Sequence, residues 1–301
     1  MMLKKNKPVN ISAVRHLYPF KSHYMNINGL KYHFLDEGGG EPIVMLHGNP
    51  TWSFYFRELV KGLRSKFRVI APDHIGCGLS DKPGEKEYGY RLENRIHDVE
   101  RLIDHLELKK KITLILHDWG GMIGMGYSVK YPEKIGRIVI MNTAGFLRPE
   151  TKKLPLRLRL ARNFRLFAIP AILGLNLFVL SALFMAPFKK LAPDVKYGLR
   201  APYNCPKNRI ATLKFVQDIP LTENHVSYGL VKSVDENLHK LSHIPMLICW
   251  GEHDFVFDAD YLAKWQLRFP DAKTHTFSDA GHYLLEDVPD KILNRIKNFL
   301  D

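Results

Sequence analysis

The chain has 301 residues, of which 46% are hydrophobic and 25% charged, a composition that excludes a disordered chain, a collagen-like repeat and a small disulfide-stapled scaffold. Its net charge is +13, but residues 148–222 alone hold fourteen bases and three acids, a net +11 that leaves +2 for the rest. No nucleic-acid reading motif accompanies that basic segment, so no nucleic-acid partner is expected.

Apolar runs at 30–35 and 42–46 each end in turn residues and predict strands. Helical spacing follows over 52–64, and a further strand over 67–71. Residues 73–80 (DHIGCGLS) form a glycine-punctuated loop. Residues 91–106 predict an amphipathic helix, with Leu92, Ile96, Val99, Leu102, Ile103 and Leu106 on one face. A β-like run at 111–116 leads into a small-residue helix over 120–131, and 137–141 is β-like again. The alternation then stops. Within 148–222 lies a 23-residue run without charge, LFAIPAILGLNLFVLSALFMAPF at 166–188, long enough to span a bilayer. Pro170, Gly174, Asn176 and Pro187 interrupt it. A span there would also put the two halves of the chain on opposite sides of a membrane. Two or more apolar helices are expected instead. Strand and helix signals resume at 245–250, 257–269, 272–277 and 289–300.

Alternating units with near-continuous apolar strands predict an α/β fold, a mostly parallel sheet with helices on both faces. Residues 148–222 are expected as an inserted helical cap between core segments 1–147 and 223–301. A basic, apolar cap also suits contact with an anionic membrane surface. Three scattered cysteines (Cys77, Cys205, Cys249) fit neither a disulfide framework nor a zinc site. The N-terminus has lysines but no apolar stretch after them. Both set the expectation of a reducing, cytoplasmic location.

Residues 112–121 (ITLILHDWGG) run from a strand into an acid and then into glycines that open a helix. This is the context of the nucleophile elbow of α/β-hydrolases. The chain has no Gly-x-Ser-x-Gly, so the nucleophile would be a carboxylate, Asp118. Alone, Asp118 would read as a helix N-cap. Two more residues fall just past strand ends in the order nucleophile, acid, histidine: Asp254 after 245–250 and His282 after 272–277. The loop HGNPTW (47–52) follows the strand at 42–46. It would supply one oxyanion-hole amide from Asn49, with a second from Trp119. Both residues also carry side-chain N–H donors that hold an anion in an apolar pocket. An ionised Asp118 needs no base and displaces a leaving group from a tetrahedral carbon, forming an enzyme ester. His282 would then activate water, with Asp254 fixing its tautomer. The chemistry needs no metal or organic cofactor.

These residues resemble the haloalkane dehalogenase branch of the α/β-hydrolases. Asn49 and Trp119 match its halide-holding pair, and Asp118, Asp254 and His282 its triad. Some members place the acid after the preceding strand; Asn142 occupies that place here, which favours Asp254. Epoxide hydrolases usually have Phe where this chain has Asn49, although Tyr197 and Tyr203 fall in the cap. A resemblance over nearly the whole chain is to the β-lactone decarboxylases of bacterial long-chain olefin biosynthesis. It rests on DHIGCGLSDKP (73–83), HDWGGMIGMGY (117–127), RIATLKFVQDIPL (209–221) and CWGEHDFVFD (249–258). It implies a cis-3-alkyl-4-alkyloxetan-2-one substrate with two long chains, a cis-olefin and CO2 as products, and assembly with the pathway's β-lactone synthetase and reductase. Asn49 and Trp119 would then hold carboxylate or lactone oxygens. The alternatives are a haloalkane dehalogenase working through an alkyl-Asp118 ester, and a non-catalytic scaffold that binds a lipid or a protein.

Overall fold

A computed structural model describes residues 6–149, 152–153 and 155–301. One eight-stranded sheet, ordered β1-β2-β4-β3-β5-β6-β7-β8, forms its centre. The strands are β1 (His23–Ile27), β2 (Leu30–Glu37), β3 (Glu41–Leu46), β4 (Phe67–Pro72), β5 (Ile112–Asp118), β6 (Ile135–Thr143), β7 (Met246–Gly251) and β8 (Lys273–Phe277). β1–β2 and β2–β4 pair antiparallel, and the pairs from β4 through β8 are parallel. The helices are α1 (Arg57–Leu63), α2 (Leu92–His105), α3 (Trp119–Lys130), α4 (Leu156–Asn163), α5 (Arg165–Ala168), α6 (Leu177–Met185), α7 (Pro193–Arg200), α8 (Ile210–Gln217), α9 (Tyr228–Asn237), α10 (Ala259–Arg268), α11 (Leu284–Asp287) and α12 (Pro289–Leu300).

The central strands are apolar throughout because both faces are covered. In β5 all seven residues are buried. Leu114 and Leu116 pack with α2 and α3, while Ile115 faces the side of α1 and α12. Two elements of five residues or more go beyond the sequence expectation. β1 buries only Met25 and Ile27, too short an alternation to read, and pairs through the turn Asn28-Gly29. Both turn residues have positive φ, 51° and 86°, which is the two-residue hairpin geometry that favours Asn-Gly. Helix α9 is the second. The helix expected over 52–64 divides into a 3-10 turn (Ser53–Phe56) and α1.

After β6 the alternation gives way to α4, α5, a π turn (Ile169–Gly174), α6, α7 and α8. Glu150, one of the acids counted in this segment, lies outside the described residues. Among the described residues no single helix is long and apolar enough to cross a membrane. Leu166–Gly174 and Leu177–Met185 reach that length only as a pair bent by 71°, with Asn176 in the left-handed conformation at the bend (φ 58°). These helices sit over the sheet's functional edge. Asp218 Oδ2 accepts Leu92 N at 2.6 Å, the Arg95 guanidinium stacks 3.6 Å from the Phe215 ring, and Trp52 Nε1 donates to Gly198 O at 3.0 Å.

The loops at that edge are tied by Asp73, just past β4. Its Oδ1 accepts Ser53 N at 2.7 Å, its Oδ2 accepts Leu79 N at 2.7 Å, and His33 Nδ1 lies 2.8 Å away. Burial pushes the Asp73 carboxyl up, but these partners outweigh it and hold it well below the usual carboxylate range.

Candidate active site

Asp118 ends β5 and precedes α3 with φ 52° and ψ −127°, a backbone conformation that an L-residue adopts only under constraint. The constraint comes from close packing after it. A Cβ on Gly120 would collide with Leu46 O, and one on Gly121 with the Thr143 side chain. A Cβ on Gly48 would strike the Asp118 carboxylate itself. Glycine is therefore required wherever the turn approaches its neighbours. Thr143 Oγ1 donates to Asp118 O, which ties the elbow to β6.

The structure brings Asp118, Asp254 and His282 into one cluster. His282 Nδ1 lies 2.7 Å from Asp254 Oδ2, and its Nε2 lies 3.5 Å from Asp118 Oδ2. Asp118 Oδ1 accepts Asn49 N at 2.6 Å. All three side chains are buried. Burial works against a charged His282, but the Asp254 and Asp118 carboxylates outweigh it and push its pKa up to about 10. Burial likewise raises Asp118, and its contacts with His282 and Asn49 N reverse that and hold it below its ordinary value. Both shifts favour the charged forms, imidazolium facing carboxylate.

Asn49 and Trp119 both line the cavity at this cluster. The Asn49 side chain is more engaged than the sequence indicates: Nδ2 donates to Thr212 O in α8 at 3.2 Å, which leaves its second N–H for a ligand. Trp119 packs on Phe215, ring centroids 5.4 Å apart. Tyr197 and Tyr203 do not line this cavity. Tyr203 OH donates to Thr51 O, and Tyr197 OH to Asn10 O.

Two supporting residues carried no role in the sequence. Asn142, at the end of β6 with φ 35°, accepts Gly251 N at 2.7 Å and donates to Asp254 Oδ2 at 3.0 Å. Together with Val256 N and Phe257 N on Oδ1, it completes the shell that aims Asp254 at His282. His117, beside Asp118, donates from Nε2 to His282 O at 2.8 Å. Burial and the nearby His282 lower its pKa to about 3, so it is a neutral strut. The signal for both was position, since each stands at the carboxyl end of a strand. Asn142→Leu keeps the branching of the side chain and leaves Asp254 one donor short. It is expected to lower kcat about 10- to 100-fold with little change in KM, measured by steady-state kinetics.

The cluster opens into a cavity of about 510 Å³. Trp119, Met122, Phe146, Leu158, Phe178 and Phe257 contribute to an apolar wall, and Asp118, His282 and Arg148 bring charge to it. Such a space suits a long apolar ligand with one reactive polar group.

A parallel sheet with an elbow carboxylate, an acid and a histidine at its carboxyl edge is the arrangement of an α/β-hydrolase. The family model for the alpha/beta hydrolase fold matches residues 41–289, and the chain belongs to that family. A cis-3-alkyl-4-alkyloxetan-2-one decarboxylase of Shewanella oneidensis is 49% identical over 285 residues, 94% of this chain and 89% of its own length. Within the α/β-hydrolases the chain belongs with these decarboxylases, and it is an enzyme. Haloalkane dehalogenase 2 of Mycobacterium bovis is 30% identical over 92% of this chain and 93% of its own length. The solved haloalkane dehalogenase DbeA of Bradyrhizobium elkani superposes with a TM-score of 0.85 at 22% identity, covering 93% of this chain and 97% of that one; the likeness is one of fold.

Proposed function

We propose that the chain is a carbon–carbon lyase that converts a cis-β-lactone bearing two long alkyl chains into a cis-olefin and CO2. The 49% identity with the Shewanella decarboxylase carries this reading. The apolar cavity and the charge state of the cluster support it.

The chemistry balances without water, cofactor or net proton transfer. An Asp118 oxygen attacks the lactone carbon that bears the ring oxygen. The new C–O bond forms as the ring C–O bond breaks, inverting that carbon and freeing a carboxylate. Asn49 and Trp119, which line the cavity with Asp118, would supply the donors that hold such a carboxylate. The carboxylate then leaves as CO2. Its C–C electron pair becomes the C=C bond, and the C–O bond to Asp118 breaks, returning the carboxylate. Inversion followed by departure of the two groups from opposite faces turns a cis ring into a cis olefin. His282 keeps its proton throughout, facing an Asp118 that is charged at both ends of the cycle. A pKa pushed up to about 10 suits that task.

The second reading, haloalkane hydrolysis through an alkyl-Asp118 ester, rests on the dehalogenase relatives. One assay separates the two. Purified protein receives a synthetic cis-dialkyl β-lactone or a 1-iodoalkane, with olefin and alcohol followed by proton NMR and halide by an ion-selective probe. Olefin without halide release is expected. Rapid halide release with an inert lactone would replace the lyase reading with the hydrolase one.

A further inference from the structure

The helices after β6 have an outer face that the chemistry does not use. Ten of the fourteen large hydrophobic side chains that stand exposed among the described residues lie between Leu156 and Phe188, and all of these but Leu156 and Met185 lie off the cavity lining. Leu166 is 94% exposed and Phe184 71%, with Phe164, Phe167 and Leu175 also outside. The inner sides of the same helices are already occupied: Ala161, Ala168, Ile172 and Leu173 pack on Leu213 and Val216 of α8. A helix buried on one side would ordinarily turn polar residues outward. Here the outward residues are apolar. α4 packs on α5, α5 on the π turn and the π turn on α6, so these side chains stand on neighbouring elements of one packed unit. Single exposed hydrophobes are unremarkable, but a contiguous set marks a docking surface.

Two observations say what docks there. The same segment exposes Lys153, Arg159, Lys190 and Arg200, places Lys196 Nζ 4.6 Å from the Phe184 ring centroid, and carries most of the chain's net positive charge. The cavity mouth borders the patch, since Leu156 lines the cavity while standing 68% exposed. Apolar side chains among cations complement anionic headgroups above acyl chains. An acidic, apolar protein face is less well matched to so many bare aliphatic and phenyl groups.

We propose that the outer face of α4, α5, the π turn and α6 docks on the surface of an anionic lipid bilayer, which sets the cavity mouth at the interface. Docking stands on this surface and does not depend on which reaction the cavity performs.

Flotation of the full chain with vesicles tests it, using phosphatidylcholine alone or with roughly one-third phosphatidylglycerol. The chain is expected to float with the anionic vesicles, at least about tenfold less with the neutral ones, and less again at about 0.5 M salt. The double variant Leu166→Glu/Phe184→Glu changes two exposed side chains that do not line the cavity. It is expected to lower the partition coefficient at least about tenfold, with the Tm and the turnover of detergent-dispersed substrate unchanged. A chain that stays in the aqueous fraction with both vesicle types overturns the proposal, as does a variant that floats like the parent. Concentration-dependent self-association that the double variant relieves, without vesicle binding by the parent, assigns the face to a second copy and also overturns it.

Discussion

Asp118→Asn is expected to abolish turnover, with a loss of about 10⁴-fold or more in kcat, equivalent to about 5 kcal/mol of barrier. The variant is informative because its backbone is accommodated. Asp118 sits at φ 52° and ψ −127°, a strained conformation that the surrounding packing imposes, and Asn is its isostere. Ala would remove the contacts of the side chain together with its chemistry. Asn also retains an oxygen to accept Asn49 N, which now donates to Asp118 Oδ1. The fold should therefore survive with a Tm within a few degrees of the parent, while the nucleophilic oxygen is gone. Olefin formation measured by gas chromatography decides the matter. Activity above about a tenth of the parent would remove the covalent role and leave Asp118 as a purely electrostatic group.

The second large effect concerns His282 and pH. Its imidazole is pushed up to about 10 by Asp254 and Asp118 against the pull of burial. It is thus charged below about pH 10 and neutral above it. If its charge is what the reaction uses, kcat/KM for the lactone holds a plateau through neutral pH and falls as pH rises past about 10. On the acid side, activity is lost only once Asp118 protonates, below the ordinary carboxylate range because its pKa is lowered. A hydrolytic base gives the opposite basic limb, since activity would climb toward about pH 10 as the free imidazole appears. His282→Ala is expected to reduce kcat about 100-fold and to leave no stable adduct on the protein by intact mass. The acyloxy carboxylate collapses without water, whereas a dehalogenase ester would accumulate. A persistent added mass would sink the lyase mechanism.

Much of this was legible in the sequence where local patterns carry the information. The run from Ile112 to Gly121 announces strand, acid and glycine-opened helix because the packing that needs those glycines is adjacent in the chain. The stretch at 249–258 around Asp254 and the loop at His282 are equally local, each just past a strand. What escaped was long-range or short. β1 buries two side chains, too few to show a period. The Asn49 amide reaches a carbonyl of Thr212 in α8, and no spacing rule anticipates a partner so distant in the chain. Asn142 was visible only as the wrong residue for an acid. Its bridging of Gly251 and Asp254 depends on β6 and β7 being sheet neighbours.

The cavity's apolar wall has a consequence for how turnover ends. In the proposed reaction the lactone would enter with a polar ring that the Asn49 and Trp119 donors can orient. Once CO2 has gone, the olefin offers those donors nothing, yet it is more apolar than what came in. Water outside is the worst place for it, and the wall of Met122, Phe146, Phe178 and Phe257 is a good one. The site that binds such a substrate holds its hydrocarbon product at least as firmly. In the proposed reaction, departure of the olefin then adds a step of its own to each cycle, and that step is helped by whatever apolar phase meets the mouth.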